Sequence, residues 1–462
     1  MKGLRHTLLA LALWTAANPA MAETAAAPLT AAAPLTWHEA VQAGLAASPE
    51  LKQAEAELNK AMIGLQGAQA ERFQYSSDVT IGDRYGVLGL LSNQTPVAAN
   101  TPIANGMLMA KVPLFTGFRL SERIHQAEAG VEGTRARADQ ARQDLIWSIT
   151  EAYWQAHRAQ LRLAIQSEAV EQARKSRDVV KTSFAIGQAT GNELDRVEVS
   201  LLNQESDLLR AEGEVLAARD KLSALLQRDL TDVALAPPPA PGTIQPAAFR
   251  PSQVLAEAVA HRPDVRAARA QLEAQEAAVA IAEADRWPQL DLVSAYQHGN
   301  NPFIATSQNY DVLQSFVGTW DARLNLSFHL FDHGLIDRNV GRAKADVEAA
   351  RQSLETAKRR AELEVKQAMR NLDLAKRRIA LGERSETLAT ANLKWLEGRF
   401  KFGYALPVEL NEARVNLVTA RTQRVDAQID HQLAQAALQR AMGQLQPPPE
   451  PPPMQKLPNP AP

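Results

Sequence analysis

Two acidic residues in the last quarter of the chain, Glu409 and Glu412, have a spacing that lets their side chains act together. They lie three positions apart, on one face of a helix that is predicted to begin at Pro407. Negative charge is favoured at this end of a helix because the helix dipole is positive there. An earlier segment carries Glu193 and Arg196 at the corresponding positions. These four residues are the first candidates for a functional site.

The other polar residues do not form a catalytic pattern. Neither a nucleophile elbow nor a phosphate-binding glycine loop occurs. Cysteine is absent, which excludes disulfides, thiolate metal sites and cysteine nucleophiles. The closest approach to a ligand cluster is formed by His329, Asp332 and His333, which could bind a metal ion or could simply face water. We predict no catalytic residue, no resident metal and no cofactor, and hence that the protein is not an enzyme.

The N-terminus predicts export. Residues 1–22 combine the positive charges of Lys2 and Arg5, a short apolar core and a small-residue pattern that ends at Ala22, as in a cleaved signal peptide. The apolar run is far shorter than the roughly 20 residues of a membrane-spanning helix. We expect cleavage after about Ala22. Charge in the chain is nearly balanced, without the basic excess of proteins that bind nucleic acid.

Internal similarity indicates that the chain contains two copies of one unit. Residues 216 positions apart correspond without an insertion or deletion, from Phe115 with Phe331 to Leu222 with Leu438. The predicted order in each copy is a helix pair, a β-hairpin, a long helix and a returning helix. Repeat 1 covers 36–228 (hairpin about 75–115, long helix 118–185, returning helix 191–228), and repeat 2 covers 251–443 (hairpin about 289–331, long helix 335–401, returning helix 407–443). We expect an unstructured leader at 23–35, a Pro-rich linker at 229–250 and a Pro-rich disordered tail at 444–462.

The strands are predicted from alternating apolar and polar residues. This alternation runs from Tyr75 to Val87 and from Trp320 to Leu330. A partner strand is expected at Leu108–Leu114, and loops are expected at roughly 90–106 and 299–318. Strands of about ten residues fit a tilted membrane strand, although a soluble hairpin has the same length.

The helices are not patterned to surround one core. In the last helix Val418, Val425 and Ile429 form one apolar line, while Leu410 and Leu417 begin another. Two apolar lines separated by polar faces suit a helix with neighbours on both sides and water inside and outside. The aromatic groups are expected to pack in helix seams; they are Trp147, Tyr153, Trp154, Trp395, Phe400 and Phe402. A plain antiparallel coiled coil is the alternative, but it leaves the duplicated hairpins unexplained.

Taken together, the sequence resembles the TolC-type outer-membrane efflux proteins. The strand-to-helix junctions Pro113-Leu-Phe-Thr-Gly117 and His329-Leu-Phe-Asp-His-Gly334 are similar to the junction of that family. The resemblance covers about residues 36–443, and the absence of cysteine places the chain in the non-lipidated branch. It implies a mainly α fold with a β-barrel portion. Three copies would form a twelve-stranded transmembrane β-barrel that is continued by a long periplasmic α-helical barrel.

The same resemblance implies a function and partners. The homotrimer would be a passive exit duct in outer-membrane lipid, working with a periplasmic adaptor protein and an inner-membrane transporter. Its cargo would be drugs or small molecules, or a protein exported by type I secretion. The alternative function is that of an exported coiled-coil scaffold protein without a pore.

Finally, the resemblance gives roles to the candidate residues. Glu409 and Glu412 match acidic positions that line the narrowest part of the tunnel, and Glu193 and Arg196 are their counterparts in repeat 1. The turns that contain Gly187, Gly191 and Gly403 are predicted to dock the adaptor, because glycine permits close backbone approach. The alternative is that Glu409, Glu412 and Arg196 are ordinary solvated charges at helix starts.

Overall fold

The fold repeats one order of elements twice. A computed structural model describes residues 34–88, 97–230, 233–236, 251–300, 316–402 and 404–446, so the predicted signal peptide lies outside the described residues. Each half contains two short helices, two strands, a helix of 67 residues and a returning helix of 36 or 35 residues. The elements are α1 (Trp37–Ala47), α2 (Pro49–Ala70), β1 (Gln74–Leu88), β2 (Val97–Phe115), α3 (Arg119–Ala185), α4 (Gly191–Leu226), α5 (Pro251–His261), α6 (Pro263–Glu283), β3 (Gln289–Asn300), β4 (Phe316–Ser327), α7 (Leu335–Lys401) and α8 (Pro407–Ala441).

Capping residues explain how the first helix pair begins and bends. The Thr36 hydroxyl accepts a hydrogen bond from the Glu39 N–H, and the Glu39 carboxylate accepts one from the Thr36 N–H. Ser48 follows α1, and its hydroxyl accepts from the Leu51 N–H. Pro49 occupies the first turn of α2, where a missing N–H costs nothing. The pair therefore bends at a serine–proline step instead of continuing as one helix.

The four strands form one antiparallel sheet in the order β1–β2–β3–β4. Strands β2 and β3 come from different halves of the chain, and their ladder places Leu108 opposite Tyr296. The sheet thus joins the two copies. Within the described residues β1 pairs only with β2, and β4 only with β3, so both outer edges present unpaired backbone groups.

The two faces of the sheet differ in polarity. Leu324 lies opposite Leu292, and Trp320 lies opposite Tyr296, on a face whose apolar side chains are exposed in the single chain. On the other face Lys111 pairs with Asp291 at 3.0 Å. Alternation along each strand produces this separation.

The first hairpin is longer than the sequence predicted. Strand β2 begins at Val97 and pairs with β1 from Leu88↔Val97 onward, where we had expected a loop at roughly 90–106. Residues 97–106 are mostly small or polar, so they lack the alternation that marks a strand. The ladder forms nevertheless, because its hydrogen bonds come from the backbone.

The second hairpin is shorter at its helix end than the alternation indicated. Strand β4 ends at Ser327, whereas the apolar pattern continues to Leu330. Its partner β3 begins at Gln289, directly after Pro288, which has no N–H to donate to a ladder. Phe328 and Leu330 therefore extend beyond the sheet as exposed apolar residues.

The long helices lie side by side in an array. On the side far from the sheet, α3 packs between α4 and α8, and α8 packs between α3 and α7. Nearer the sheet, α2 packs on α3, and α6 packs on both α3 and α7. Helices α3 and α7 therefore run the whole length of the array, on the order of 100 Å. Among the residues described, no helix is both long enough and apolar enough to cross a bilayer.

Ion pairs join the two halves along the contact between α3 and α8. The Arg162 guanidinium binds Asp426 at 2.8 Å, and Arg421 binds Glu168 at 2.8 Å. Arg421 also lies 3.6 Å from Glu386 of α7. These pairs hold α8 against both of its neighbours.

The largest apolar core surrounds the middle of α3. Tyr153 and Trp154 are each 2% exposed there. Three leucines outside the long helices are buried in the same core: Leu35 precedes α1, Leu230 follows α4, and Leu445 follows α8. The two ends of the described chain and the start of the linker thus converge on α3.

This convergence corrects our expectation for the leader and the tail. The Leu35 N–H donates to the Ala234 carbonyl at 2.7 Å, and Leu35 forms a parallel bridge with Leu235. The Tyr153 hydroxyl lies 3.1 Å from the Leu35 carbonyl oxygen, and burial raises the pKa of Tyr153 to about 12, so it remains a donor. Leu445 is likewise buried and not part of a disordered tail. The rest of both segments lies outside the described residues.

Candidate functional site

The turn between α3 and α4, called tip 1 (residues 183–193), is closed by Gly187. Its φ is +76°, in the left-handed region. The Gly187 N–H donates to the Phe184 carbonyl at 3.0 Å, and the Gln188 N–H donates to the Ser183 carbonyl at 2.8 Å. These bonds satisfy carbonyls that a helix end leaves without partners. A Cβ at Gly187 would meet no atom within 4 Å, so the left-handed backbone conformation, and not crowding, favours glycine here.

The turn between α7 and α8, called tip 2 (residues 399–409), repeats this arrangement. The Phe402 and Tyr404 N–H groups both donate to the Arg399 carbonyl, at 3.2 and 2.9 Å. Gly403 lies outside the described residues. Gly191 begins α4 and does not have a positive φ. The docking role of these three glycines remains a prediction.

Glu193 and Glu409 have the same local role at the two tips. The Glu193 carboxylate accepts from the Thr190 N–H at 2.7 Å, and the Glu409 carboxylate accepts from the Leu406 N–H at 3.0 Å. The bonds from the Thr190 N–H and hydroxyl, with a smaller effect of the Arg196 charge, lower the pKa of Glu193. Leu406 has no side-chain oxygen to complete the reciprocal cap. Both glutamates therefore cap the helix that follows the tip.

The four charged candidates lie at one end of the array. Glu412 and Arg196 are exposed on α8 and α4. The Ser200 hydroxyl donates to Asn411 at 3.2 Å, so α4 and α8 make a local contact near the tips. The pore-lining role of Glu193, Arg196, Glu409 and Glu412 remains a prediction.

The residues considered as metal ligands are used differently. The Asp332 carboxylate accepts from the Ile336 N–H at 2.6 Å and from the Gly334 N–H at 3.0 Å, and these bonds lower the pKa of Asp332. His333 adopts a positive φ of 55° at the same turn. Within the described parts of the chain, no three His, Asp or Glu residues form a group that could hold a metal ion. Asp332 acts as a helix-start residue of α7.

Two stripes of exposed apolar side chains, which the sequence patterns did not predict, lie at opposite edges of the array on α4 and α7. Every member is between 52% and 70% exposed, and successive members are seven residues apart. The signal was present in the sequence, but periodicity alone did not tell whether the same chain covers these residues. The α4 stripe is Leu202, Leu209 and Leu216, and the α7 stripe is Leu374, Leu381, Leu388 and Trp395.

Two aromatic residues that we assigned to helix seams are exposed in the single chain. Trp395 is part of the α7 stripe, with the Arg399 guanidinium 4.8 Å from its ring centroid. Phe402 in tip 2 is 78% exposed. Tyr153 and Trp154 do pack internally, as expected.

A comparison with known proteins identifies the family. The family model for outer membrane efflux proteins matches residues 40–227 and 254–444, which is most of the chain. The chain belongs to the outer membrane efflux protein family. The gap between the two matched regions coincides with the linker between the two copies. The resemblance read from the junctions and the duplication is therefore confirmed.

Individual relatives of this efflux protein are distant. The fusaric acid resistance protein FusA of Burkholderia cepacia is 27% identical over 227 residues, covering 49% of this chain and 42% of FusA. Protein CyaE of Bordetella pertussis is 27% identical over 247 residues, covering 53% and 50%. The matched regions span about half the length of these curated relatives. The outer membrane channel CmeC of Campylobacter jejuni has the same fold, with a TM-score of 0.76, 17% identity and coverage of 88% of this chain and 86% of CmeC.

Proposed function

We propose that three copies of this efflux protein close into one continuous duct. The sheets form a barrel across the outer membrane, and the helical arrays form a wall that extends into the periplasm. The duct is passive, and an inner-membrane transporter supplies cargo through a periplasmic adaptor. The observation that carries this proposal is the match between the α4 stripe and the α7 stripe.

The two stripes match in height along the array. Helices α4 and α7 run in opposite directions relative to the tips, since α4 leaves tip 1 and α7 arrives at tip 2. The three leucine pairs that result lie equally far along the chain from Gly187 and Gly403: Leu202 with Leu388, Leu209 with Leu381, and Leu216 with Leu374. An α4 edge can therefore dock on the α7 edge of another copy with every leucine opposite a leucine.

The charges of the two edge helices are complementary. Helix α7 carries sixteen basic and ten acidic residues, whereas α4 carries four basic and eight acidic residues. An α4 edge thus attracts an α7 edge and repels another α4 edge. This favours a head-to-tail contact, which closes into a ring when the rotation between copies permits it.

The sheet supports the same closure. Its two edge strands are β1 and β4. In lipid, unpaired edge groups would be costly, and pairing β1 of one copy with β4 of the next removes both edges. With the apolar face outward, Leu324 and Trp320 contact lipid and the Lys111–Asp291 pair faces the lumen.

The tips are the proposed entrance and docking surface. A trimer would bring six carboxylates of Glu409 and Glu412 to one opening, where they attract cations. Exposed Phe402 and Tyr404 around tip 2 offer apolar contacts to an adaptor helix. The similarity to a fusaric acid resistance protein favours small-molecule efflux over protein secretion.

Planar-bilayer recording tests the duct directly. Purified full-length protein should form oligomers in outer-membrane fractions and produce discrete conductance steps after reconstitution. A protein that fractionates with the periplasm, or that inserts without any conductance, would instead support the exported scaffold.

A further inference from the structure

A groove crosses the array on the side far from the sheet. All four helices α3, α4, α7 and α8 contribute to it, and it encloses about 420 Å³. Ile165, Leu393 and Val415 give it apolar walls. Both its volume and this mixture of apolar walls with a few polar groups are those of small-molecule sites.

One nitrogen atom of a groove arginine lacks a hydrogen-bond partner in the described part of the chain. The Arg414 Nη1 atom is buried and has no partner within the described residues. Burial lowers the pKa of Arg414, and the charge of Glu397 opposes this effect only in part. A buried guanidinium nitrogen without an acceptor is costly and calls for a partner.

The second arginine in the groove, Arg421, does have carboxylate partners. Arg421 binds Glu168 at 2.8 Å and lies 3.6 Å from Glu386. Lys394 also lines the groove, whose cations Arg414, Arg421 and Lys394 outnumber its two carboxylates, Glu168 and Glu397. The side chains that line the groove therefore carry one more positive than negative charge, while Glu386 contacts Arg421 from outside the lining.

We propose that this groove binds a small amphipathic monoanion. A carboxylate or sulfonate would accept hydrogen bonds from Arg414, while the apolar part of the ligand would lie against Ile165 and Val415. Anionic acceptors suit a guanidinium because charge-assisted hydrogen bonds are the stronger ones. The site is built within one chain and goes beyond the proposed duct, since a pore does not need it.

The position of the groove limits the source of the ligand. Lys394 lies near the end of α7 that reaches tip 2. Measured along α7, the groove is therefore on the order of 90 Å from the sheet. A lipid held in a bilayer around the sheet cannot reach it. The occupant must be a water-soluble anion.

Calorimetric titration of the full-length protein in lipid nanodiscs provides the test. Naphthalene-2-sulfonate is the probe, and 2-naphthol is its neutral match. Arg414→Met should weaken sulfonate binding by at least about tenfold, and Arg414→Lys should weaken it less. Arg210→Met, on the exposed face of α4, should change nothing, because Arg210 pairs with Asp207 outside the groove.

Two results would overturn the proposal. One is equal sulfonate binding by the parent and Arg414→Met, and the other is equal binding of the sulfonate and 2-naphthol. Thermal melting separates ligand binding from a structural role. We expect Arg414→Met to melt no lower than the parent, because a buried nitrogen without an acceptor is removed. A lower melting temperature would show that Arg414 stabilises the fold, and it would count against a ligand-binding role. Neither measurement requires an open pore, so failure of the anion site is distinguishable from failure of conductance.

Discussion

Apolar side chains are buried in the middle of α3 but exposed at the edges of the helical array. In the middle of α3, Trp154 is 2% exposed and packs against residues from several parts of the chain. At the α7 edge, Trp395 is 57% exposed although it is the same residue type on an equally long helix. The two tryptophans differ in exposure because Trp154 packs in an apolar core within the chain and Trp395 does not.

This comparison separates what folds the chain from what assembles it. The core around α3 gathers Leu35, Leu230 and Leu445, so one chain supplies every contact there. The α4 and α7 stripes have the spacing of packed helices but lack a second helix. In the proposed trimer, the α4 stripe of one copy packs against the α7 stripe of the next.

The largest effect should come from truncating the buried tryptophan. Trp154→Ala should cost about 3–5 kcal/mol, because it leaves a cavity in the core. Trp395→Ala is the matched change at the edge. It should leave the melting of the helical circular dichroism signal nearly unchanged while lowering the temperature at which the oligomer dissociates on a gel. Equal effects on helix melting would remove the distinction between core and edge.

The next largest effect should come from charging the apolar face of the sheet. Leu324→Arg should cost roughly 2–4 kcal/mol if the residue faces the bilayer midplane, and less near an interface. Asn325→Arg places the same charge on the opposite face and should be tolerated. The measurement is the heat resistance of the oligomer. If the Leu324→Arg oligomer is as resistant as the parent, this face does not contact lipid.

A smaller effect is expected at the tips. Gly187→Val forces a β-branched residue into the left-handed region and should cost about 1–2 kcal/mol, whereas Gly187→Asn should be tolerated better. Gly191→Val tests docking without this strain, because Gly191 has no positive φ. It should reduce export while leaving trimer formation and membrane insertion intact. Normal export by Gly191→Val would count against docking at tip 1.

The smallest effect on stability should come from the acidic residues of tip 2. Glu409→Ala with Glu412→Ala should weaken cation selectivity and divalent block without preventing assembly, since both side chains are exposed. Glu39→Ala, which removes an equivalent helix cap from α1 away from the tips, is the control for capping. Single-channel recordings in which the double variant matches the parent would leave Glu409 as a cap and nothing more.

Much of the fold could be predicted from the sequence because its signals are local and repeated. The long helices have apolar residues at helical spacing over many turns, and glycine marks their ends. Strand ends were less predictable: Val97 begins a strand that backbone pairing defines, and the pattern that continued to Leu330 had no partner strand beyond Ser327.

The site was harder to predict, because exposure depends on which other segments are present. Val425 and Val415 belong to one apolar line of α8, yet Val425 is 6% exposed and Val415 is 42% exposed. Leu35 and Leu445 gave no periodic signal, as each is a single leucine beside a low-complexity segment. Arg414 has no distinctive sequence signal; only the arrangement of the surrounding helices leaves its Nη1 atom without an acceptor among the described residues.

Disulfide trapping between copies tests the central claim most directly. The chain contains no cysteine, so Leu209→Cys with Leu381→Cys introduces one thiol on each edge. A disulfide forms only if the two Cα atoms lie within about 7 Å. Closure through the α4 and α7 edges should give covalent trimers on a non-reducing gel after oxidation. It also predicts no efficient cross-linking of Leu209→Cys with Leu388→Cys, which is displaced by seven residues, about 10 Å. Monomers from the first pair, or equal cross-linking of both pairs, would contradict closure through the α4 and α7 edges.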